Sequence, residues 1–346
     1  MIRRFSLAAA LVAVLAAVTG CASSSSRTSA GGPSAERVVL MVGGLDKQIY
    51  LPAMLAQQLG YFREQGLDVE LDSEPAGVQA EDELLAGAVQ GVVGFYDHTI
   101  DLQSKGKFAE SIVQLSQAPG EVELVASKYA SQITSPVQFK GRTLGVTGLG
   151  SSTDFLTRYI AARAGLKESD YSLLPVEAGN TFIAAMTQDK IQAGMTTEPT
   201  VSRLIDRGGA RVLVDLRSPS DTQRTLGGTY PAACLFMQTS WVNAHRETTQ
   251  KLAAAFVKTL GYIASHSPDQ IADQMPTDYY AGDKAMYVKA LAKGKGMFTK
   301  DGRMPANGPK TVLRVLATFN PNIRGASIDL GQTYTTSFVD AGKAKT

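Results

Sequence analysis

The chain has few of the residues that support metal or redox chemistry. Across 346 residues there are two cysteines, Cys21 and Cys234, and three histidines, His98, His245 and His266. None of these falls at zinc-ligand spacing, and the two cysteines are too few for a disulfide framework. H-E-x-x-H, a P-loop and G-x-S-x-G are missing, so no motif supports a zinc protease, a nucleoside triphosphatase or a serine hydrolase. There is no run of basic residues, and the net charge is +2, which leaves nucleic acid no electrostatic footprint. The longest apolar run covers residues 7–18, 12 residues in all. That is short of the roughly 20 a membrane-spanning helix needs. No metal, no cofactor and no enzymatic activity are expected.

The N-terminus carries a clear pattern. Met1-Ile2-Arg3-Arg4 is basic, the apolar run follows, and Thr19-Gly20-Cys21 closes it with small residues. A basic start, a short apolar core and a small-residue cleavage site predict a secretory signal peptide over residues 1–20. Leu15-Ala16-Ala17-Val18-Thr19-Gly20-Cys21 resembles a lipobox, with Val18 where Leu is usual. Cys21 is therefore expected to be acylated, palmitate included, and to anchor the mature chain to a bacterial membrane, at the periplasm or the cell surface. Residues 21–35 are Ser-rich and include Gly31-Gly32-Pro33; a segment that can bury so little apolar surface is expected to be a flexible tether. Removing residues 1–20 takes away Arg3 and Arg4, leaving 32 basic against 32 acidic residues.

Beyond the tether, β-branched runs alternate with helical patterns. Val38-Val39-Leu40-Met41-Val42 predicts a buried strand; Leu51, Met54, Leu55, Leu59 and Phe62 then lie on one helical face. Further strands are expected at 67–71, 91–96, 122–126, 141–146, 192–197 and 212–216, and helices dominate from residue 247. Val89-Gln90-Gly91-Val92 lines up with Ile191-Gln192-Ala193-Gly194 at an offset of 102 residues, as a pair of similar α/β domains would produce. The expected organisation is one lobe from residues 36–127 and 235–346 and a second from 128–234.

Three stretches carry a resemblance to a known family. They are Tyr50-Leu51-Pro52-Ala53-Met54-Leu55 continuing through Gly60-Tyr61-Phe62, Phe139-Lys140-Gly141-Arg142-Thr143-Leu144-Gly145-Val146 with Gly150-Ser151-Ser152, and Ala193-Gly194-Met195-Thr196-Thr197-Glu198-Pro199. Together they resemble the ABC-transporter substrate-binding proteins for nitrate, sulfonates and taurine, with the related NMT1/THI5-like thiamine-precursor binders. The resemblance implies a two-lobed periplasmic-binding-protein fold of type II, two α/β domains with a ligand cleft between them. It also implies a monomer that hands a small molecule to an ABC permease and its ATPase. A ligand-sensing role toward a membrane receptor is the alternative, and a thiamine-pathway enzyme on the same fold a further one. Against the enzyme, Cys234 stands alone in apolar Pro231-Ala232-Ala233-Cys234-Leu235-Phe236, where a buried structural thiol is the better reading.

In open α/β sheets ligands bind beyond the carboxyl ends of the strands. Four loops qualify, 43–48, 95–99, 148–154 and 196–199. They nominate Asp46 and Gln48; Phe95, Tyr96, Asp97 and His98; Gly150, Ser151, Ser152 and Thr153; and Thr197 and Glu198. Tyr50 follows the first loop, and Tyr230 is added from the Gly227-Gly228-Thr229 loop. The free N–H groups and hydroxyls of 148–153 suit an anion or a carbonyl oxygen. Asp154 in the first helical turn and the acids Asp46, Asp97 and Glu198 beside aromatic rings suit a cationic or amino-substituted heteroaromatic instead. A sulfonate- or nitrate-like anion and an aminopyrimidine-type ligand both remain open on sequence alone.

Overall fold

The computed structural model describes residues 35–280 and 282–343. The signal peptide, Cys21 and all but the last residue of the tether lie outside the described residues.

Ten strands form two five-stranded sheets. The first contains β1 (Glu36–Val42), β2 (Leu67–Ser73), β3 (Gly91–Phe95), β4 (Ala109–Gln114) and β10 (Ala233–Gln238); the second contains β5 (Glu121–Ala126), β6 (Thr143–Val146), β7 (Ser172–Pro175), β8 (Ala193–Thr197) and β9 (Ala210–Asp215). Their orders, β2-β1-β3-β10-β4 and β7-β6-β8-β5-β9, are the same topology written twice. In each sheet three strands run parallel, and a strand contributed across the lobe boundary lies antiparallel to the third. Val38, Leu40 and Val42 of β1 and Val92 and Val93 of β3 are buried, as parallel strands covered by helices on both faces require.

The offset of 102 residues has a structural counterpart. Gln90 precedes β3, and its Oε1 accepts from the Val39 N–H of β1 at 2.7 Å; Gln192 precedes β8, and its Oε1 accepts from the Thr143 N–H of β6 at 2.9 Å. Each Gln also donates its own N–H back to the same partner's carbonyl, at 3.0 Å in both lobes. The amide side chain thus caps one end of a parallel pair that has run out of ladder partners.

β5 belongs to the second sheet, so the chain first crosses between lobes at residues 115–120, upstream of the boundary read at 127/128. It crosses back at 227–232, and the two crossings are stitched together by Leu115 N–H and Ser116 N–H to Ala233 O and by Ala232 N–H to Ser116 O. Gln114 Nε2 reinforces the junction by donating to the carbonyls of Ser116, Ala232 and Ala233 at 2.9–3.2 Å. After β10 the chain is helical. Helix Arg246–Ser265 packs on helices Leu51–Gln58 and Tyr61–Glu64 of the first lobe, while helix Gly308–Phe319 packs on helix Ser152–Arg163 of the second. The predicted helix over 51–62 is broken by Gly60 at φ 73°, a left-handed conformation that glycine adopts without a Cβ penalty.

Candidate functional site

The carboxyl ends of β1, β3, β6 and β8 face one another across the boundary between the lobes. A cavity lies there. The first lobe lines it with Lys47, Ile49, Tyr50, Gly77, Phe95 and His98; the second lines it with Glu121, Thr147, Ser151, Ser152, Thr153 and Thr197. Its volume is about 10 Å³, the room of one water molecule, so anything larger enters only with the lobes apart.

Glu121 is the residue whose placement matters most. β5 runs antiparallel to β8 with Glu121 directly opposite Thr197, so both side chains leave the sheet on the same face, within cross-strand reach. Both are buried, and neither Glu121 Oε2 nor Thr197 Oγ1 has a hydrogen-bond partner. Burial pushes the Glu121 carboxyl well above the usual carboxylate range; the Asp97 charge adds to this, and Lys47 opposes it. Buried polar groups are nearly always satisfied, so two orphaned oxygens side by side on a cavity wall are hydrogen-bonding positions open to a bound molecule.

On the cationic side of the cavity, Lys47 and His98 Nδ1 are bonded to protein. Lys47 Nζ donates to Gly43 O at 2.5 Å and to Pro75 O at 2.8 Å. Burial draws its pKa down to about 8 against the pull of Asp46, Glu121 and Glu177. His98 Nδ1 pairs with Glu81 Oε2 at 2.6 Å, both groups being buried. Burial alone would lower the imidazole's pKa, but the Glu81 bond and charge, aided by Asp97 and Asp101, hold it at about 9. His98 is therefore an imidazolium at neutral pH. Its Nε2 faces Gly77, where an added Cβ would lie 2.8 Å away; only glycine leaves that edge of the ring free. Tyr50 and Phe95 meet edge to face with ring centroids 6.1 Å apart and supply the apolar wall.

Of the residues nominated from sequence, Tyr50, Phe95, His98, Ser151, Ser152, Thr153 and Thr197 lie at the cavity. The others lie elsewhere, each for an identifiable reason. Asp46 is exposed and borders a separate groove with Met54 and Tyr279. Gln48 is buried but donates its amide to Tyr287 O at 2.9 Å. The Tyr96 hydroxyl pairs with Thr333 beneath the first lobe. Gly150 N–H donates to Asp154 at 2.7 Å, which closes the helix start on itself. The Glu198 carboxylate accepts from Ser202 and, at 2.7 Å, from Arg217. Asp97 accepts one hydrogen bond on each oxygen, from Ser152 Oγ and from the Tyr230 hydroxyl, each at 2.8 Å, and neither Asp97 nor Tyr230 lines the cavity. Sequence reasoning missed Lys47, Ile49, Gly77, Glu121 and Thr147. Glu121 had a signal: Glu121 and Glu123 are two acids inside the apolar run of a fully buried strand.

The geometry has counterparts among known proteins. The profile of the family described as "NMT1/THI5 like" matches residues 49–271. A protein of solved structure from Bordetella bronchiseptica RB50 is 34% identical, with a TM-score of 0.86 over 89% of this chain and 97% of that one. The periplasmic nitrate-binding protein NrtA from Synechocystis PCC 6803 shares the fold at 13% identity, with a TM-score of 0.72 over 89% of this chain and 88% of that one. The two repeated sheets thus form the periplasmic-binding-protein fold. The 4-amino-5-hydroxymethyl-2-methylpyrimidine phosphate synthase THI11 of Saccharomyces cerevisiae is 29% identical over 170 residues, 48% of this chain and 47% of that protein. The chain therefore spans about half the length of the yeast relative it matches.

Proposed function

We propose, for a chain that belongs to the NMT1/THI5-like family, that it is an extracytoplasmic solute-binding lipoprotein. It takes up one small organic molecule between its lobes and passes it to an ABC permease with its ATPase, while acylated Cys21 holds it at the membrane. The observation that carries this reading is the interlobe cavity with the unpartnered Glu121 and Thr197 oxygens beside the rings of Tyr50 and Phe95. A ligand there touches both lobes only when they close, and that differential contact is what favours closure.

The ligand class follows from the acceptors. An amino-substituted nitrogen heterocycle offers an N–H donor beside a ring-nitrogen acceptor. That edge matches a carboxyl in either protonation state, and its flat faces suit Tyr50 and Phe95. The yeast relative is named as the synthase of an aminopyrimidine phosphate, whose ring falls in this class. A sulfonate or nitrate offers no N–H to the unpartnered Glu121 and Thr197 oxygens, and Lys47 already spends two of its hydrogens on backbone carbonyls. Binding proceeds without chemistry in this account. Ser152 donates to Asp97, and His98, charged at neutral pH, has no lone pair with which to act as its base.

A thermal-shift panel tests the reading. It spans aminopyrimidines and other amino-heteroaromatics, sulfonates, nitrate, taurine and amino acids. A ligand at about a hundred times its dissociation constant adds about 2.7 kcal/mol, which raises the melting temperature of a protein this size by a few degrees. A shift with amino-heteroaromatics and none with the anions is the expected outcome. A shift with sulfonates or nitrate alone would overturn the ligand class, and turnover of the bound compound would overturn the binding-only account.

A further inference from the structure

Asp97 opens helix Asp97–Ser104 at the carboxyl end of β3, with its side chain fully buried. Its two oxygens accept from different parts of the molecule. Ser152 Oγ, in the first turn of helix Ser152–Arg163 of the second lobe, donates to Oδ1; the Tyr230 hydroxyl, on the return crossing, donates to Oδ2. One carboxylate therefore bonds the first lobe to the second lobe and to the connection about which they move. Two uncharged hydrogen bonds also link the lobes near the cleft, Gln48 N–H to Glu198 O at 3.0 Å and Val78 N–H to Ser151 Oγ at 3.4 Å, and the exposed pair Lys289 and Asp206 meets at 3.6 Å. Hydrogen bonds to a charged acceptor are the strong ones, and all three side chains are buried.

We propose that Asp97 is a positioning residue for closure: a clasp that draws Ser152 and Tyr230 together and sets how far the lobes favour the shut form before any ligand bond is counted. Each Asp97 oxygen already accepts a hydrogen bond from the protein, whereas Glu121 Oε2 at the cavity accepts none. Closing on Asp97 also brings Ser151, Ser152 and Thr153 up to the cavity wall as one rigid helix start. The clasp shares with the proposed function only the premise that the lobes move, so it can be tested without any ligand.

The test is the distance between lobes, measured by double electron–electron resonance. Nitroxide labels are placed through Gln58→Cys in the first lobe and Lys190→Cys in the second, both exposed positions, in a full-length Cys21→Ser background; Cys234 is buried and does not label. The unaltered clasp should give a dominant short distance. Ser152→Ala and Asp97→Ala should each lower the ratio of closed to open molecules by roughly tenfold or more, the equivalent of one hydrogen bond to a charged group. Asp97→Asn should retain most of the short distance, because an amide can accept from Ser152 while donating to Tyr230. A purely structural buried acid would not show that rescue in the distance distribution. Should Asp97→Ala fail to fold, Ser152→Ala decides, since it removes one hydroxyl and opens little space. If Ser152→Ala, with native circular dichroism, leaves the wild-type distribution unchanged, the clasp is refuted. A failed ligand panel with a positive distance result would strike the ligand reading and leave the clasp standing.

Discussion

Glu123 offers the sharpest numerical prediction. It lies on β5 with β8 on one side and β9 on the other, fully buried. Oε2 accepts from Thr157 Oγ1 at 3.0 Å, and Oε1 has no partner. Burial pushes its pKa up from 4.5 to about 8, with the Thr157 bond opposing. The sign of the consequence is fixed by linkage. Between those two values the native protein holds a proton that the unfolded chain has released. Stability contributed by the protonated form is complete below the unfolded pKa and is lost as the pH rises through the folded one. The slope is about 1.4 kcal/mol per pH unit, and the whole loss is on the order of 5 kcal/mol. Glu123→Gln keeps the shape and removes the titration. Urea unfolding of both proteins, followed by circular dichroism at about pH 5.5, 6.5 and 7.5, should show the variant gaining on the wild type by about 1.4 kcal/mol per unit. A buried amide N–H without an acceptor offsets all three differences by a similar amount and leaves the slope intact. Glu121 titrates in both proteins and cancels to first order. A difference that does not change with pH would refute the reasoning.

Three further outcomes are expected. Glu121→Gln should weaken a ligand found by the thermal-shift panel by roughly tenfold to a hundredfold, the cost of mismatching one buried hydrogen bond, as read by calorimetry; an unchanged affinity would remove Glu121 from the site. Gly77→Ala puts a methyl 2.8 Å from His98 Nε2; overpacking of this kind costs about 1–3 kcal/mol and should lower the melting temperature by several degrees, while an unshifted melt would show that the ring has room to move. Glu81→Gln removes the partner that holds the His98 pKa at about 9. Its imidazole should then titrate well below 9 by NMR, because burial is opposed only by the Asp97 and Asp101 charges, and the stability tied to the raised pKa, complete below about pH 6.5 and lost as the pH rises through about 9 in the wild type, should be reduced. A His98 that still titrates near 9 would show that other charges hold it.

The β/α alternation was legible because strands such as Val38–Val42 are buried on both faces and read as apolar runs, and because Gln90 and Gln192 repeat in sequence what they repeat in structure. The lobe boundary was harder. β5 is as apolar as the first-lobe strand before it, and nothing local in Glu121–Ala126 records which sheet it joins. The site was half legible for a related reason. Loops beyond the carboxyl ends of parallel strands led to Phe95, His98, Ser151, Ser152, Thr153 and Thr197. Glu121 instead enters from the amino end of an antiparallel strand, which reaches the same edge from the opposite direction. For the acids of those loops, sequence does not show which protein donors they meet: Asp97 accepts from Ser152 and Tyr230, and Glu198 from Ser202 and Arg217.

The most direct test of the central claim is a crystal structure of the chain grown with the ligand that gives the largest thermal shift. The account predicts the ligand's amino nitrogen within hydrogen-bonding distance of Glu121 Oε2, its ring against Tyr50 and Phe95, and both lobes in contact with it. Density for the ligand outside the cleft, for instance in the surface groove bordered by Gln238 and Trp241, with the interlobe cavity unchanged, would contradict it.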